Sequence, residues 1–238
     1  MKGVILAGGR GTRLRPMTHV VNKHILPVYD KPVIYYPVKT LLQSGIDDIM
    51  VISTPEDIGR YIQLLEDDFD AEFRYRVQKE PKGIADALSL AEDFVDKTAA
   101  VMLGDNIVLD DLSDEFRDFE NSNSKAKIFL KKVDKPSAYG IAELEDQEII
   151  ELREKPDSPQ SNYAITGLYV YNAEVFDVIP TLEPSDRGEL EITDLNQTFL
   201  DRDELNHEII EPEWFDVGTP EGLFHASKHV REQREDSF

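Results

Sequence analysis

Leu6-Ala7-Gly8-Gly9-Arg10-Gly11-Thr12-Arg13-Leu14 sets three glycines and two arginines directly after an apolar run. Without Cβ atoms in the way, backbone N–H groups at such glycines can surround an anion, so the segment reads as a phosphate cradle. Two common Gly-rich loops fail on spacing. A dinucleotide fingerprint needs a further glycine where Arg13 stands and a helix at once, yet Pro16 follows; a Walker loop needs Gly-Lys-Ser/Thr, which is missing. What remains is a glycine loop holding an arginine, and then Lys23, a combination suited to the β- and γ-phosphates of a nucleoside triphosphate. Two carboxylates complete the set: Asp105 follows an apolar run at 99–103, and Asp216 follows Trp214 and Phe215. Each is expected at a strand end, where open α/β sheets bind ligands, although a lone aspartate there can equally cap a helix.

An alternating pattern must position these groups. Residues 2–6, 48–53 and 72–77 read as strands, 34–43 and 56–65 as helices, and 99–103 as a buried strand. Residues 84–95 read as a helix with Ile84, Ala87, Leu88, Ala91 and Val95 on one face. Such alternation predicts an α/β fold, a Rossmann-like, mainly parallel mixed sheet flanked by helices. After about residue 125 the texture turns strand-rich, with strands at 128–133, 140–144, 149–154 and 163–171. Helices return at 173–179, 192–201 and 220–233, the last opened by Thr219 as N-cap, Pro220 at the first position and Glu221 in the first turn. Stretches 121–124 and 156–161 read as surface loops, and no internal repeat occurs. The expectation is one domain over 1–238, with a nucleotide-type half at 1–124 and a second half at 125–238.

Composition narrows the function. Among 238 residues, 48 acids against 26 Lys and Arg give a net charge of -22, which would repel nucleic acid. Yet residues 1–46 carry seven cations against Asp30 alone, so the positive charge gathers around the glycine loop. With 25 Asp and 23 Glu against 14 Lys, the acidic excess matches proteins of high-salt cytoplasm, where screening removes self-repulsion. There is no cysteine, which excludes disulfides, thiolate metal sites and a Cys nucleophile; no apolar run suits a membrane span or signal peptide, so a cytoplasmic protein is expected. His225 and His229 stand four apart without an apparent third zinc ligand, no Gly-x-Ser-x-Gly elbow occurs, and the acidic run at 66–70 lacks the Gly and distal Glu of a calcium loop.

Two motifs in register, Gly8-Gly9-Arg10-Gly11-Thr12-Arg13-Leu14-Arg15-Pro16 and Asn22-Lys23-His24-Ile25-Leu26-Pro27-Val28, resemble the signature of the sugar-phosphate nucleotidylyltransferases. Within that family the chain is most similar to glucose-1-phosphate thymidylyltransferases, through Asp30-Lys31-Pro32-Val33-Ile34-Tyr35-Tyr36-Pro37, Leu103-Gly104-Asp105-Asn106, Glu154-Lys155-Pro156, Ser161-Asn162-Tyr163-Ala164-Ile165-Thr166-Gly167-Leu168-Tyr169, Arg187-Gly188-Glu189-Leu190-Glu191-Ile192-Thr193-Asp194 and Trp214-Phe215-Asp216-Val217-Gly218-Thr219. The likeness spans 2 to about 226 and fits the short form, which speaks against feedback by a distal sugar nucleotide.

The resemblance implies the nucleotide-diphospho-sugar transferase fold, with residues 125–238 binding the sugar phosphate. It implies attack of a sugar 1-phosphate on the α-phosphorus of dTTP, with Asp105 and Asp216 sharing one Mg²⁺. Arg13 then steadies the departing pyrophosphate and Lys23 reaches the α-phosphate. Leu6, Gly8, Gly9, Gly11 and Thr12 hold nucleotide, while Gln78, Pro81 and Gly83 read the base, where a Gln amide can pair with both a carbonyl and an N–H. Lys155 and Arg187 bind the sugar phosphate; Asn106, Tyr139, Gly140, Glu154, Thr166 and Tyr169 face the sugar. The alternating Tyr163, Tyr169 and Tyr171 equally suit a core or an interface. UTP is the rival nucleotide, because the two bases differ by one methyl, and a non-catalytic nucleotide-sugar sensor is the rival class. A homo-oligomer is expected.

Overall fold

The computed structural model describes residues 1–211 and 213–235. Its centre is a nine-stranded mixed sheet. Strand β1 (Lys2–Leu6) has the short β2 (Pro27–Val28) and β3 (Lys31–Pro32) hairpin and helix α1 (Tyr35–Gln43) after it; β4 (Asp48–Ser53), helix α2 (Ile58–Glu66) and β5 (Glu72–Val77) follow. Helix α3 (Ile84–Ser89) leads to β6 (Thr98–Leu103). Strands β6, β1, β4 and β5 run parallel in that order across the sheet. Side chains of β1 alternate between the two faces: Val4 and Leu6 enter one apolar cluster with α3, Ile5 enters another with α1 and α2. Burial on both faces is why these strands read as continuous apolar runs.

Beyond β6 the sheet turns antiparallel. Between β6 and its next sheet neighbour the chain makes β7 (Asn106–Val108), α4 (Ser113–Glu120), β8 (Ala126–Lys132), β9 (Gly140–Glu145) and β10 (Glu148–Glu154). The ten-residue β11 (Tyr163–Asn172) then pairs antiparallel with β6, β8 and β9, so hydrogen bonds run across the sheet from the first half of the chain to the second. Its register against β8 slips between Ile165 and Tyr169, a bulge of the kind that re-aims side chains beside sites. Helices α5 (Val175–Val178) and α6 (Ile192–Leu200) precede β12 (Leu205–Ile209), which adds to β8 in parallel, and β13 (Trp214–Asp216), which forms a two-stranded ribbon with β7. Helix α7 (Pro220–Glu235) closes over Val28, Val33, Ile107 and Val217. Thr219 Oγ1 accepts the Gly222 N–H at 3.1 Å, the expected N-cap.

Three readings need correction. Helix α3 ends at Ser89 rather than 95: the Ser89 hydroxyl donates back to the Asp86 carbonyl, and the chain continues in i→i+3 turns that keep Ala91 and Val95 in the core. The helix expected at 173–179 is the four-residue α5 followed by a 3₁₀ turn containing Pro180, which has no N–H for an α ladder. Strands β2, β3, β7, β12 and β13 and helix α4 are additional elements.

Candidate active site

A cleft of about 320 Å³ opens at the carboxyl ends of β1 and β6 and is walled on its far side by β9, β10 and β11. Lys23, Asp105, Asp216 and Arg13 all line it. Local structure explains each placement. Gly11, at φ +56°, turns the chain where a Cβ would meet Thr18 Cγ2 at 2.9 Å, and its carbonyl accepts the Thr18 hydroxyl. The 3₁₀ turn Thr12–Leu14 that follows delivers Arg13 to the cleft while burying Leu14. A second 3₁₀ turn, Lys23–Ile25, carries Lys23 and is capped by Asn22, whose Oδ1 accepts the His24 N–H at 2.9 Å. Asp105 is brought in because the Gly104 N–H donates to the Leu6 carbonyl at 2.9 Å, holding the end of β6 against the end of β1.

The electrostatics are those of a shared charge site. Asp105 is 6% exposed and ion-pairs with Lys23. Burial alone would raise its carboxyl, but the adjacent ammonium outweighs that and holds it well below the usual carboxylate range. Asp216 stands opposite Asn106 in the β7–β13 ribbon, and the Val217 N–H donates to the Asp105 carbonyl at 3.0 Å. Burial and the charge of Asp105 push the Asp216 carboxyl up, against the opposing pull of the Gly218 N–H, Arg13 and Lys23. Two carboxylates close enough to repel suit a divalent cation that takes one or two protein oxygens and completes its shell with phosphates and water. Among the described residues no group of three or more His, Asp or Glu that could hold a metal ion occurs. His24, pushed down to about 3 by burial and then by Lys23, is a neutral imidazole beside them.

At one end of the cleft lie Leu6, Gly8, Gly9, Gln78, Pro81 and Gly83. Gln78 Nε2 donates to the Gly83 carbonyl at 3.2 Å and to Asp86 at 2.7 Å, which fixes the orientation of its amide. At the other end lie Tyr139, Gly140, Glu154, Lys155, Tyr169 and Arg187. Lys155 sits at φ +41°, an uncommon backbone state for a side-chain-bearing residue. Its ammonium pairs with Glu154, whose other oxygen accepts the Thr193 hydroxyl at 2.7 Å. Burial opposes ionisation of Glu154, yet Lys155 and Thr193 carry its carboxyl below the ordinary value. Between the two ends, Asn106 Oδ1 accepts the Trp214 indole N–H at 2.6 Å and the Gly167 N–H at 3.1 Å.

Three residues expected at the site do not line the cleft. Gly11 and Thr12 shape the turn behind Arg13. Thr166 is fully buried and its hydroxyl donates to the Phe129 carbonyl at 2.9 Å, because Ile165, Gly167 and Tyr169 take the cleft face of β11 and Thr166 the opposite one. Conversely, Glu191, Thr193 and Trp214 line the cleft without being among the expected site residues, although all three fall inside the motifs that carry the resemblance and Trp214 is the sole tryptophan. His225 and His229 pack against Phe224 and Phe215 respectively. No helix among the described residues is long and apolar enough to cross a membrane.

Known proteins match the chain along nearly its whole length. Residues 2–233 match the nucleotidyl transferase family. A glucose-1-phosphate thymidylyltransferase of Mycolicibacterium smegmatis is 45% identical, the match covering 97% of this chain and 82% of the relative. A Haloferax volcanii low-salt glycan biosynthesis nucleotidyltransferase is 43% identical, covering 98% of this chain and 67% of its own length. A Bacillus anthracis structure, assigned as a glucose-1-phosphate thymidylyltransferase and solved with sucrose, superposes with a TM-score of 0.93 at 46% identity over 97% of this chain and 95% of that one. A UDP-glucose pyrophosphorylase structure at 24% identity and a TM-score of 0.85, covering 98% of both chains, shares the fold. The chain belongs to the nucleotidyl transferase family.

Proposed function

We propose that the protein transfers the thymidylyl group of dTTP to glucose 1-phosphate, giving dTDP-glucose and pyrophosphate. A phosphate oxygen of glucose 1-phosphate forms a bond to the α-phosphorus as the bond from that phosphorus to the α,β-bridging oxygen breaks, and the electron pair leaves with pyrophosphate. The observation that carries this reading is the meeting of Arg13, Lys23, Asp105 and Asp216 in one cleft, between the Gln78–Gly83 end and the Glu154–Arg187 end. Support also comes from relatives named for this activity at 40–45% identity over nearly the whole chain.

In this mechanism little covalent work falls to the protein, and the rate comes from alignment and charge neutralisation. Gln78 and the backbone at Gly83 take the base; the glycine loop and Arg13 take the β- and γ-phosphates and follow the charge onto pyrophosphate. Lys23 moves from Asp105 to the α-phosphate when substrate arrives, exchanging one anionic partner for another. Arg187 and Lys155 take the phosphate of the sugar substrate, while Glu154, Asn106 and Tyr139 accept or donate to the sugar hydroxyls. Asp105 and Asp216 would hold Mg²⁺, which when bound supplies neutralisation of charge at the α-phosphate. We further read the acidic composition as an adaptation to a salt-rich cytoplasm.

The test is pyrophosphate release across a matrix of dTTP, UTP, ATP and GTP against glucose, galactose and mannose 1-phosphates, in Mg²⁺ at high salt. Highest kcat/KM with dTTP and glucose 1-phosphate, lost on chelation and restored by Mg²⁺, is expected. A clear preference for UTP would overturn the thymidylyl assignment, and no release with any pair would overturn catalysis altogether.

A further inference from the structure

Glu191 poses an electrostatic problem. It lies at 7% exposure in a cleft read above as binding two polyphosphorylated or phosphorylated anions, where an ionised carboxylate opposes substrate entry. Its contacts resolve the conflict. One oxygen, Oε1, accepts three hydrogen bonds: from the Ser185 hydroxyl at 2.7 Å, from Arg187 Nη2 at 2.8 Å and from Arg187 Nε at 3.2 Å. Arg187 is otherwise half exposed on the loop between α5 and α6, and a long side chain in that setting samples many rotamers. Engaged through Nε and Nη2, the guanidinium is fixed in plane, and Nη1 remains available to an incoming anion.

The backbone just before Glu191 is itself anchored to the opposite end of the cleft. The Leu190 N–H donates to the Lys82 carbonyl at 2.7 Å, and the Ala85 N–H, one of the unpaired donors in the first turn of α3, donates to the Leu190 carbonyl at 3.2 Å. This backbone seam joins residue 190 to the segment whose Gly83 carbonyl orients Gln78. Glu154 also touches Arg187 Nη2, at 3.3 Å, but it holds Lys155 and Thr193 as well and faces the cleft. The Glu191 carboxylate has no hydrogen-bond partner among the described contacts besides Ser185 and Arg187.

We propose that Glu191 is the positioning residue for Arg187: it holds the guanidinium ready for the phosphate of the sugar substrate and, through the Leu190 seam, ties that cation to the segment that orients Gln78. The proposal rests on the function proposed above. Glu191 stays on Arg187 throughout turnover, whereas Glu154 exchanges Arg187 for substrate.

The experiment compares wild type, Glu191→Ala, Glu191→Gln, Arg187→Ala and the double variant Glu191→Ala/Arg187→Ala. Steady-state kinetics are read beside calorimetric titration with glucose 1-phosphate and, as a probe for the cation alone, inorganic phosphate. Glu191→Ala is expected to raise the KM for glucose 1-phosphate about tenfold or more and to weaken phosphate binding comparably, with the KM for dTTP changed less than threefold; couplings of this size are usual between contacting groups. Glu191→Gln, which keeps an acceptor, recovers part of the loss. In the Arg187→Ala background the Glu191 substitution adds nothing further. Additive losses, or equal rises in both KM values with a matching fall in melting temperature, would overturn the positioning role and leave Glu191 a structural residue. A wild type that binds phosphate in an Arg187-dependent way but not glucose 1-phosphate would overturn the proposed function alone. Unchanged phosphate affinity in Glu191→Ala would overturn this inference alone, and a wild type that binds neither anion would overturn both.

Discussion

Gly83→Ala probes the seam between the two ends of the cleft with a single methyl. Gly83 has φ +108° and ψ 173°, a region open almost only to glycine, and its occupation by a side-chain-bearing residue costs about 1–3 kcal/mol. The added Cβ would lie 2.4 Å from the Leu190 carbonyl oxygen and 2.6 Å from its nitrogen, so residue 190 must withdraw. Withdrawal breaks the Leu190 to Lys82 and Ala85 to Leu190 hydrogen bonds, each worth about 0.5–1.5 kcal/mol net. Together these losses come to roughly 2–6 kcal/mol, and at roughly 2–4 °C per kcal/mol for a chain of this size the midpoint falls by roughly 4–24 °C. Because Gln78 loses the oriented Gly83 carbonyl as Glu191 is displaced, the KM values for nucleotide and sugar phosphate should rise together, unlike the selective effect expected of Glu191→Ala. Calorimetric melts at constant salt and initial rates on the same preparation measure both quantities. A midpoint within 2 °C of wild type with both KM values unchanged would refute the close approach itself.

Other outcomes follow from the charges. Asp105→Asn leaves the half-buried Lys23 without its anion and would remove a metal oxygen, so pyrophosphate release should fall by about two orders of magnitude or more; full activity would exclude Asp105 from the reaction. His24 binds its proton only near pH 3 when folded but near 6.5 when unfolded, so the unfolded state takes up more protons between those values. Stability is therefore fully present above about pH 6.5 and declines as the pH falls toward 3, by up to about 1.4 kcal/mol per unit from this residue, and melts of His24→Gln should show a flatter acid limb. With a net charge of -22, the protein should melt higher in 2 M KCl than in dilute buffer; an unchanged or lower midpoint would count against salt adaptation.

The parallel half of the fold was plain in the sequence because β1, β4 and β6 are buried on both faces, and an apolar run needs no partner to be seen. The additional elements lacked that signal. Strands β7 and β13 are three residues each, too short to display a period, and they exist because each pairs with the other. Strand β12 is a polar, half-exposed edge, and α4 buries only Phe116 and Phe119. Within the site, the glycine loop, Lys23 and the two aspartates were legible by type and position. Thr166 misled because facing is decided by strand alternation through the β11 bulge, which residue type does not reveal. The role proposed for Glu191 was hidden for a related reason: it rests on one oxygen shared by Ser185 and Arg187, a three-body contact that residue type does not reveal.

A chain so rich in carboxylates must still attract two phosphate-bearing substrates, and the arrangement of the pairs explains how. In the cleft Asp105 holds Lys23, Glu154 holds Lys155, and Glu191 holds Arg187, so three of the four cations are aimed by an adjacent acid. Arg10, Arg13 and Arg15 form no ion pair among the described residues, which leaves the mouth of the glycine loop the positive rim of an otherwise negative molecule. At 1 M salt the screening length is about 3 Å, which removes repulsion from distant surface acids but acts little on contacts already at hydrogen-bond distance. In the proposed mechanism the aimed cations thus keep their hold on phosphate where the surface charge is silenced. In dilute buffer the same acids act at long range again, so weaker substrate capture should appear first in KM and only later in kcat.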